Sequence, residues 1–481
     1  MDYYYLVKEA PEIPLKSSRT RPRFELRLLR AIDKVLKRLG TQYKVRRVNS
    51  VLLLEANKDV INSLVTIFGI HSVCRVMPRE FRNLKDIAHH AEELYRDVVK
   101  GRKFAVRVKR SGKHRFTSLD VASVVGAALK PYSAGVDLEN PEVTVKIEVR
   151  GGVAYFIDRC LSGPKGLPVG VEGRVVSLFS GGYDSTLASW MIAKRGCKVD
   201  FLHLYMGSAE SSEAAVDVAV KLSDWFTPYE PRFLVIDFTP VIAEIVNRVS
   251  RDYRQVVLRW SMHYIAQKVA AEHGYDAVVT GESIGQASSQ TLKNLEVVER
   301  LLPGVSKRPI LRPLCGMDKE EIISYIRELG LYGLTSRVKE ACRIAGGAVA
   351  TRAKEGKLKE EIGKLGEVLD LVYSALMEFK VSETGKIKSL IKAFTEDVEV
   401  DGVLEGAVLV DVRPRDEFDR WHPKGAIHVS EVLNRVAPDR LIITYCDKGV
   451  ASTIYARALR AIGFKAYSLK GGVSRLKTLE G

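Results

Sequence analysis

The segment Ser180-Gly-Gly-Tyr-Asp-Ser185 restricts the fold of this chain more than any other feature. An apolar run at 174–179 precedes it, and a helical pattern at 185–195 follows it. Two adjacent glycines let backbone N–H groups approach an anion without obstruction by Cβ atoms, and a helix N-terminus adds positive potential. The pattern therefore predicts a strand, a phosphate-binding loop and a helix, in that order. It is not a Walker loop, because the lysine that such a loop needs is missing.

Strand and helix patterns continue to alternate after this loop. Apolar segments at 198–205, 232–237 and 277–280 are separated by helical patterns at 214–225 and 251–273. A second, smaller series begins near residue 402. Repeated strand–helix units imply parallel sheets covered by helices. Since about 150 residues make an ordinary domain, 481 residues predict a multidomain α/β protein.

Positive charge is concentrated in the first third of the chain. Residues 1–170 hold 32 of the 75 Lys and Arg but only 18 of the 59 Asp and Glu, so they carry +14 of the net charge of +16. Segregated basic charge favours a binding surface for a polyanion over a solubility device. The stretch 16–23, whose hydroxyls are expected to cap the next helix, and the segment 103–116 are the most basic parts. Nucleic acid is the expected partner.

The six cysteines contain no Cys-x-x-Cys pair. This spacing favours a reducing compartment, in which a special cysteine is catalytic rather than structural. Four of the six lie in apolar strand or linker contexts and are expected to be packing residues: Cys74, Cys160, Cys197 and Cys315. No apolar run reaches the roughly 20 residues of a membrane span, and the N-terminus lacks a signal-peptide pattern. We expect a cytoplasmic protein with no membrane partner.

The polar run 280–294, Thr280-Gly-Glu-Ser-Ile-Gly-Gln-Ala-Ser-Ser-Gln-Thr-Leu-Lys-Asn294, follows a predicted strand. It resembles the T-G-E-[SA]-x-G-Q-x-[SA]-S-Q-T-x-x-N segment of the tRNA 4-thiouridine synthetase family. The runs Leu258-Arg-Trp-Ser-Met262 and Arg312-Pro-Leu-Cys-Gly-Met-Asp-Lys-Glu-Glu-Ile322 match two more segments of that family. The phosphate loop resembles the PP-loop of N-type ATP pyrophosphatases, which split ATP between its α and β phosphates.

The resemblance covers essentially the whole chain and implies four domains. They are a ferredoxin-like α+β domain (1–75), a THUMP RNA-binding α/β domain (76–165), a PP-loop ATP pyrophosphatase domain with a Rossmann-like parallel sheet (170–385) and a rhodanese α/β domain (400–481). Residues 355–400 are interpreted as charged helical connectors that let the rhodanese domain swing towards the ATP site.

The resemblance also implies a set of ATP contacts. Leu178 and Phe179 would lie against the adenosine. Asp184 would support catalysis, through Mg²⁺ or by orienting the loop, so that ATP and Mg²⁺ are the expected cofactors. No residue is predicted to form a protein-built metal site. The remaining contacts would surround the phosphates or touch ATP elsewhere: Ser180, Gly181, Gly182, Ser185, Arg259, Gly281 and Gln290.

The segment 408–427 resembles the rhodanese signature D-x-R-x-x-x-E-(F/Y)-x-x-G-H-I-x-G-A, but has Arg420-Trp-His-Pro423 where that signature has G-H-I. Further on, Cys446 ends a strand and opens a helix. Backbone N–H groups and a helix dipole at such a position stabilise an anionic sulfur. By resemblance, Cys446 would carry a persulfide, and Cys342 would resolve it by forming a disulfide with Cys446.

The resemblance implies a tRNA sulfurtransferase that adenylates O4 of a uridine, at position 8 in the family, and replaces that oxygen with sulfur. Its expected partners are tRNA and a cysteine desulfurase or another persulfide donor, and a homodimer is left open. One alternative, alone or in addition, is a sulfur carrier that serves a thiocarboxylate carrier protein in thiamine thiazole synthesis. Another is a catalytically silent RNA-binding protein, against which the intact Asp184, Gln290 and Cys446 argue.

Overall fold

The computed structural model of the protein describes residues 3–48, 50–304, 308–339, 349–413, 415–447, 450–461 and 463–480. The chain forms two compact units. The first contains 1–171 and 194–196, and the second contains 172–193 and 197–481. Both are mixed α/β structures, which confirms the predicted fold class.

Strands and helices alternate in the first unit. Their bounds are β1 (Tyr3–Glu9), α1 (Arg21–Arg38), β2 (Tyr43–Val48), β3 (Val51–Ala56), α2 (Ile61–Leu64), β4 (Ile70–Glu80), α3 (Leu84–Val99), β5 (Lys103–Ser111), α4 (Ser118–Leu129), β6 (Gly135–Val136), β7 (Val143–Arg150) and β8 (Val153–Ser162). Within the described residues, the eight strands form one sheet in the order β2-β3-β1-β4-β8-β7-β5-β6. Strand β5 pairs in parallel with β6 and β7, and the other pairs are antiparallel.

Helix α1 packs against this sheet through one apolar face. Phe24, Leu28, Ile32 and Val35 recur at helical spacing and are all buried. The hydroxyl cap predicted for this helix is wrong, since the side chain of the N-cap residue, Thr20, makes no capping hydrogen bond. A proline in the first turn starts the helix instead, because its φ is already helical and it has no N–H to satisfy.

A disulfide between Cys74 and Cys160 joins β4 to β8. The two residues are direct partners in the antiparallel register, with Cys74 buried and Cys160 exposed. The expectation of a packing role is confirmed for Cys74, which lies in a core cluster with Leu6 and Tyr155, but is wrong for the exposed Cys160. The sequence missed the disulfide because a separation of 86 positions hides a cross-strand neighbour. The disulfide also removes the argument for a reducing compartment. Cys197 and Cys315 lie outside the disulfide and are half-buried.

We expect this disulfide to stabilise the first unit. Closing a loop of 86 residues restricts the unfolded chain by roughly 4.6 kcal/mol in the chain-entropy account. The double variant Cys74→Ala/Cys160→Ala should unfold at a lower denaturant concentration than the wild type without reductant. Adding a reductant should lower the unfolding midpoint of the wild type to that of the double variant. In the presence of reductant, a Cys197→Ala control should have the same midpoint as the wild type. Identical midpoints for wild type and double variant in the absence of reductant would contradict this expectation.

The second unit begins with a series of strand–helix units. Their bounds are β9 (Arg174–Leu178), α5 (Tyr183–Lys194), β10 (Lys198–Tyr205), α6 (Ala209–Ser223), β11 (Arg232–Asp237), α7 (Thr239–Arg248), α8 (Arg254–Glu272), β12 (Ala277–Val279), α9 (Leu292–Arg300), β13 (Ile310–Leu311), α10 (Lys319–Glu328), α11 (Tyr332–Thr335), α12 (Glu355–Gly363), α13 (Val368–Ser374), β14 (Met377–Lys380) and α14 (Thr384–Ala393). The described strands form a sheet in the order β13-β12-β9-β10-β11-β14, which is parallel except for β14.

Residues 355–400 are part of this folded body, so their interpretation as connectors was wrong. Leu358 and Val372, on α12 and α13, are buried in the same core as the parallel strands. Strand β14 adds an antiparallel edge to the sheet by pairing with β11. The sequence did not reveal β14, because a four-residue strand with one buried side chain, Phe379, has too little alternation to recognise.

The second unit ends with a smaller sheet. The bounds of its elements are β15 (Glu399–Val400), β16 (Val408–Asp411), α15 (Arg415–Arg420), β17 (Ile427–His428), α16 (Val432–Arg435), β18 (Leu441–Tyr445), α17 (Val450–Ala461), β19 (Lys465–Leu469) and α18 (Gly472–Glu480). Its strands run in the order β15-β19-β18-β16-β17, and all pairs are parallel. Among the described helices, none has the length and apolar composition needed to cross a membrane.

Candidate active site

A cavity of about 840 Å³ lies where the loops after β9 and β12 meet. The two strands are parallel neighbours, so their carboxyl ends, and the polar loops that follow, reach the same edge of the sheet. Asp184 lines this cavity together with most of the predicted ATP contacts: Leu178, Phe179, Ser180, Gly182, Ser185, Arg259, Gly281 and Gln290.

Two glycines make the phosphate loop possible through close backbone contacts. Gly181 has a φ of +79°, and a Cβ atom there would lie 2.5 Å from the Cα atom of Ala215 on α6. A Cβ atom on Gly281 would lie 2.7 Å from the carbonyl carbon of Asp184 and from the nitrogen of Ser185. Gly281 therefore brings the loop after β12 directly onto the phosphate loop, which no larger residue allows.

The loop hydroxyls are arranged around its backbone. The Ser185 hydroxyl accepts a hydrogen bond from the N–H of Ser180 at 3.2 Å, and the Ser180 hydroxyl accepts one from the N–H of Gly182 at 3.3 Å. The two hydroxyl oxygens are 3.2 Å apart. These two hydroxyls and the N-terminus of α5 thus lie together at the cavity, where they are suited to bind phosphate oxygens.

The Asp184 carboxylate is held by two side chains from distant parts of the chain. Lys319, the first residue of α10, donates to both carboxylate oxygens at 3.0 Å. Gln286 donates to one of them at 3.0 Å. Asp184 therefore fixes an ammonium group at the edge of the phosphate loop.

Arg259 is positioned by a buried carboxylate. Glu282 is 4% exposed and accepts hydrogen bonds from Arg259 and, at 2.6 Å, from Arg312. Burial raises the pKa of the Glu282 carboxyl, but the charges of His263 and Arg259 outweigh burial and hold that pKa well below its usual range. With its amide oriented to satisfy both neighbours, Gln290 accepts from Arg259 at 3.3 Å. The guanidinium is thus fixed before any ligand binds.

Phe179 borders the cavity, and its ring packs with its centroid 4.4 Å from that of Phe201 in the core. Its carbonyl oxygen accepts a hydrogen bond from Nδ1 of His203 at 2.9 Å. Burial lowers the pKa of His203 to about 4, so the imidazole is neutral near pH 7. His203 therefore positions the end of β9 without adding charge to the cavity.

Cys446 lies between β18 and α17 in the smaller sheet. Its sulfur is 3.5 Å from both the N–H and the hydroxyl of Ser452, in the first turn of α17. The carbonyl oxygen of Cys446 accepts from the N–H of Val473 at 3.0 Å, and a Cβ atom on Gly472 would overlap that oxygen. Ser452 therefore places a backbone N–H and a hydroxyl beside the sulfur at a helix N-terminus, an arrangement suited to a persulfide anion.

The departure from the rhodanese signature has a structural role. The carbonyl of Trp421 accepts a hydrogen bond from Arg413 at 2.8 Å, and His422 stacks on Phe418 with ring centroids 3.9 Å apart. Arg413 also pairs with Asp411 at 2.6 Å. The ring of Trp421, which stands where the signature has glycine, lies 5.8 Å from the Arg413 guanidinium and so helps to hold the arginine of the signature.

Sequence reasoning missed three of the side chains that form the cavity. Lys319 and Glu282 belong to runs that match the family, but nothing in those runs shows that they meet Asp184 and Arg259. His203 lies inside an apolar strand, where it gave no signal. Cys342 lies in the segment 340–348, outside the described residues, so its predicted role stays a prediction.

A phosphate loop at the carboxyl edge of a parallel sheet, followed by a rhodanese-type cysteine loop, defines a nucleotide-binding enzyme of the PP-loop class. Family models match four segments: the ThiI ferredoxin-like domain at 4–74, the THUMP domain at 81–157, the thiamine biosynthesis protein (ThiI) at 170–366 and the rhodanese-like domain at 393–478. A tRNA sulfurtransferase of Desulfurococcus amylolyticus is 48% identical over 98% of both chains. The chain belongs to the tRNA sulfurtransferase family, as the motifs predicted.

Two further relatives agree with this assignment. A tRNA sulfurtransferase of Pyrobaculum aerophilum is 36% identical over 95% of both chains. The structure is also similar to the crystal structure of a 4-thiouridine synthetase–RNA complex with bound ATP. The match covers 79% of this chain and 99% of the synthetase chain, with a TM-score of 0.67 and 28% sequence identity.

We expect Gly281→Ala to weaken ATP binding by at least about tenfold, because the added methyl group would displace the backbone of Asp184 and Ser185. Gly316→Ala is the matched control, since a Cβ atom there meets no neighbour within 4 Å. Calorimetric titration with ATP measures both variants. Wild-type affinity in Gly281→Ala would show that the close backbone contact does not shape the site.

Proposed function

We propose that this protein makes 4-thiouridine in tRNA, at uridine 8, by adenylating O4 of the base and then replacing that oxygen with sulfur. The observation that carries the proposal is the cavity in which the phosphate loop, the Asp184–Lys319 pair and Arg259 converge. The membership of the chain in the tRNA sulfurtransferase family supports the same activity.

In the first step, O4 of the uridine attacks the α-phosphorus of ATP, and pyrophosphate leaves. Ser180, Ser185 and the backbone N–H groups between them would hold the departing phosphates. Lys319 would offset the charge that develops there, and Asp184 would keep the Lys319 ammonium in place. Arg259, fixed by Glu282, would orient the rest of the nucleotide.

Mg²⁺ that accompanies ATP is usually held by phosphate oxygens and one or two carboxylates. Asp184 is the carboxylate that the phosphate loop offers for this purpose, and the ion would supply further charge neutralisation. In the described part of the chain, no three His, Cys, Asp or Glu side chains are grouped to hold a metal by themselves. The hydrogen bonds of the Asp184 carboxylate directly support one role for this residue, which is to orient the Lys319 ammonium.

In the second step, a sulfur on Cys446 replaces the activated oxygen. The terminal sulfur of a Cys446 persulfide attacks C4 of the base, and AMP leaves with O4. The Cys342 thiolate then attacks the Cys446 sulfur, which breaks the bond to the transferred sulfur and leaves a Cys342–Cys446 disulfide. An external dithiol reduces that disulfide. We propose a cysteine desulfurase or a similar persulfide donor as the source of the sulfur.

The basic first unit would bind the RNA. Along β5 and the loop after it, Arg107, Lys109, Lys113 and Arg115 are all exposed. Such side chains contact phosphates and position a nucleic acid without reading its sequence. We assign RNA binding to residues 1–165, ATP chemistry to 170–385 and sulfur transport to 400–481. We further propose that the protein works in the cytoplasm, where its proposed substrates tRNA and ATP are found.

A second role in thiamine synthesis is compatible with the same cysteine. The family model matched at 170–366 is described as a thiamine biosynthesis protein. In that role Cys446 would pass its sulfur to a thiocarboxylate carrier protein, and neither RNA nor the basic first unit would be needed.

The activity is tested by incubating the protein with unmodified tRNA, ATP and sodium sulfide, followed by mass spectrometry of the nucleosides. The wild type should form 4-thiouridine. Asp184→Ala should stay folded, because its half-buried carboxylate fills no core position, but should lose the activity and the exchange of pyrophosphate into ATP. Normal exchange in this variant would remove Asp184 from the adenylation step.

The roles of Cys446 and Cys342 should be distinguishable by how variants of each residue use different sulfur sources. Cys446→Ala should lose 4-thiouridine formation with a desulfurase and cysteine, but keep it with free sulfide, because sulfide attacks the adenylate directly. Cys342→Ala should load sulfur on Cys446 and fail to release it efficiently. Peptide mapping after one turnover without reductant should find Cys342 linked to Cys446. A Cys446–Cys315 disulfide, or an unlinked Cys446, would exclude Cys342 as the resolving thiol.

A further inference from the structure

Helix α17, which follows the Cys446 loop, packs against the ATP-binding part of the second unit. Ile454 is 2% exposed and belongs to the hydrophobic core that α8, α12 and α13 share with the parallel sheet. The Tyr455 hydroxyl donates to the carbonyl oxygen of Ser374, at the end of α13, at 3.1 Å. The rhodanese-like part therefore contacts the ATP-binding part through both buried apolar surface and a hydrogen bond.

A buried ion pair lies at the same contact. Arg457 on α17 reaches Asp237, the last residue of β11, at 3.2 Å. The Asp237 side chain has no exposed surface, and its other oxygen accepts from the N–H and hydroxyl of Thr239. Burial raises the pKa of the Asp237 carboxyl, against the hydrogen bonds from Thr239 and the charge of Arg457. Removing Arg457 would leave a buried carboxylate without a cation, which is strongly unfavourable.

The chain between the two parts is short and fixed at both ends. Only residues 394–398 separate α14 from β15, and five extended residues span at most about 17 Å. Phe394 and Val398 are 5% and 1% exposed. Within this tether, Glu396 accepts a hydrogen bond from Arg457 at its carbonyl oxygen and pairs with Arg460 at 2.9 Å. Helix α17 thus holds the tether as well as the ATP-binding part.

The contact links the sulfur site to the edge of the sheet that forms the ATP cavity. Strand β11 ends beside β10. Leu204, near the end of β10, and Met206, just after β10, both line that cavity. Arg457 lies seven residues after Val450, which is about 10 Å along the helix. The Asp237–Arg457 pair therefore sets the position of the Cys446 loop relative to the carboxyl edge of the sheet.

Helix α17 contacts both α13 and α14. We infer that the rhodanese-like part stays docked on these two helices during sulfur delivery, with Asp237–Arg457 as the positioning pair. This inference rests on the proposed function and replaces the swinging connector that the sequence predicted. Arg457 touches neither substrate nor sulfur and acts by holding α17, so its loss should slow delivery from Cys446 without impairing adenylation.

The test separates loading from delivery in the full-length protein. Cys446 is loaded from a cysteine desulfurase with labelled cysteine, and one turnover is then started with ATP and tRNA. Arg457→Ala and Asp237→Asn should load normally, but should deliver at least about tenfold more slowly, as expected for a misplaced reacting group. Arg457→Lys should recover part of the rate. Sulfide-driven thiolation should match the wild type in all three, which shows that the ATP site is intact.

Arg435→Ala is the control, because Arg435 is exposed and its partner Glu431, in the same rhodanese-like part, keeps a second cation, Arg415. It should load and deliver as the wild type does. Wild-type or faster delivery in Arg457→Ala would overturn the inference. So would increased hydrogen exchange in α17 when ATP and tRNA are added to the wild type. Failure of the proposed function has a different signature, since the wild type would then form no 4-thiouridine even with sulfide.

Discussion

The backbone of Gly281 lies against the backbone of Asp184 and Ser185, and the ATP site depends on this contact. It brings together the loops that follow β9 and β12, which are neighbours in the sheet although about 100 residues separate them in the chain. Because the two loops touch at the main chain, Glu282 and Gln286 are carried to fixed places beside the phosphate loop. The same contact leaves no room for a side chain at position 281.

The described cationic side chains of the cavity are paired with carboxylates and do not form a patch of uncompensated positive charge. Among the described residues that line the cavity, Lys319 is paired with Asp184, Arg259 with Glu282 and Lys339 with Glu210. Such pairs limit the repulsion among the cations and fix their directions before a nucleotide arrives. The neutral His203 beneath the loop adds hydrogen bonds without changing this balance.

The sulfur site is connected to the ATP-binding part by the docked helix α17. Its ion pair with Asp237, its buried Ile454 and the short tether make the two parts of the second unit one packed body in this structure. A multidomain sulfurtransferase can move sulfur by moving a domain or by holding it close. The buried Ile454, the Asp237–Arg457 pair and the short tether would all have to be disrupted for α17 to undock, which favours the second.

The sequence by itself determined the local chemistry of this protein. The phosphate loop, the Cys446 loop and the basic first third are each encoded in short contiguous stretches, where residue type and backbone conformation are directly linked, and the family followed from them. The tertiary structure alone decided which distant side chains meet. The Asp184–Lys319 pair, the Cys74–Cys160 disulfide and the Asp237–Arg457 pair join residues 135, 86 and 220 positions apart. Strand order and helix packing set these meetings, and neither hydrophobic periodicity nor a motif records which strand lies beside which.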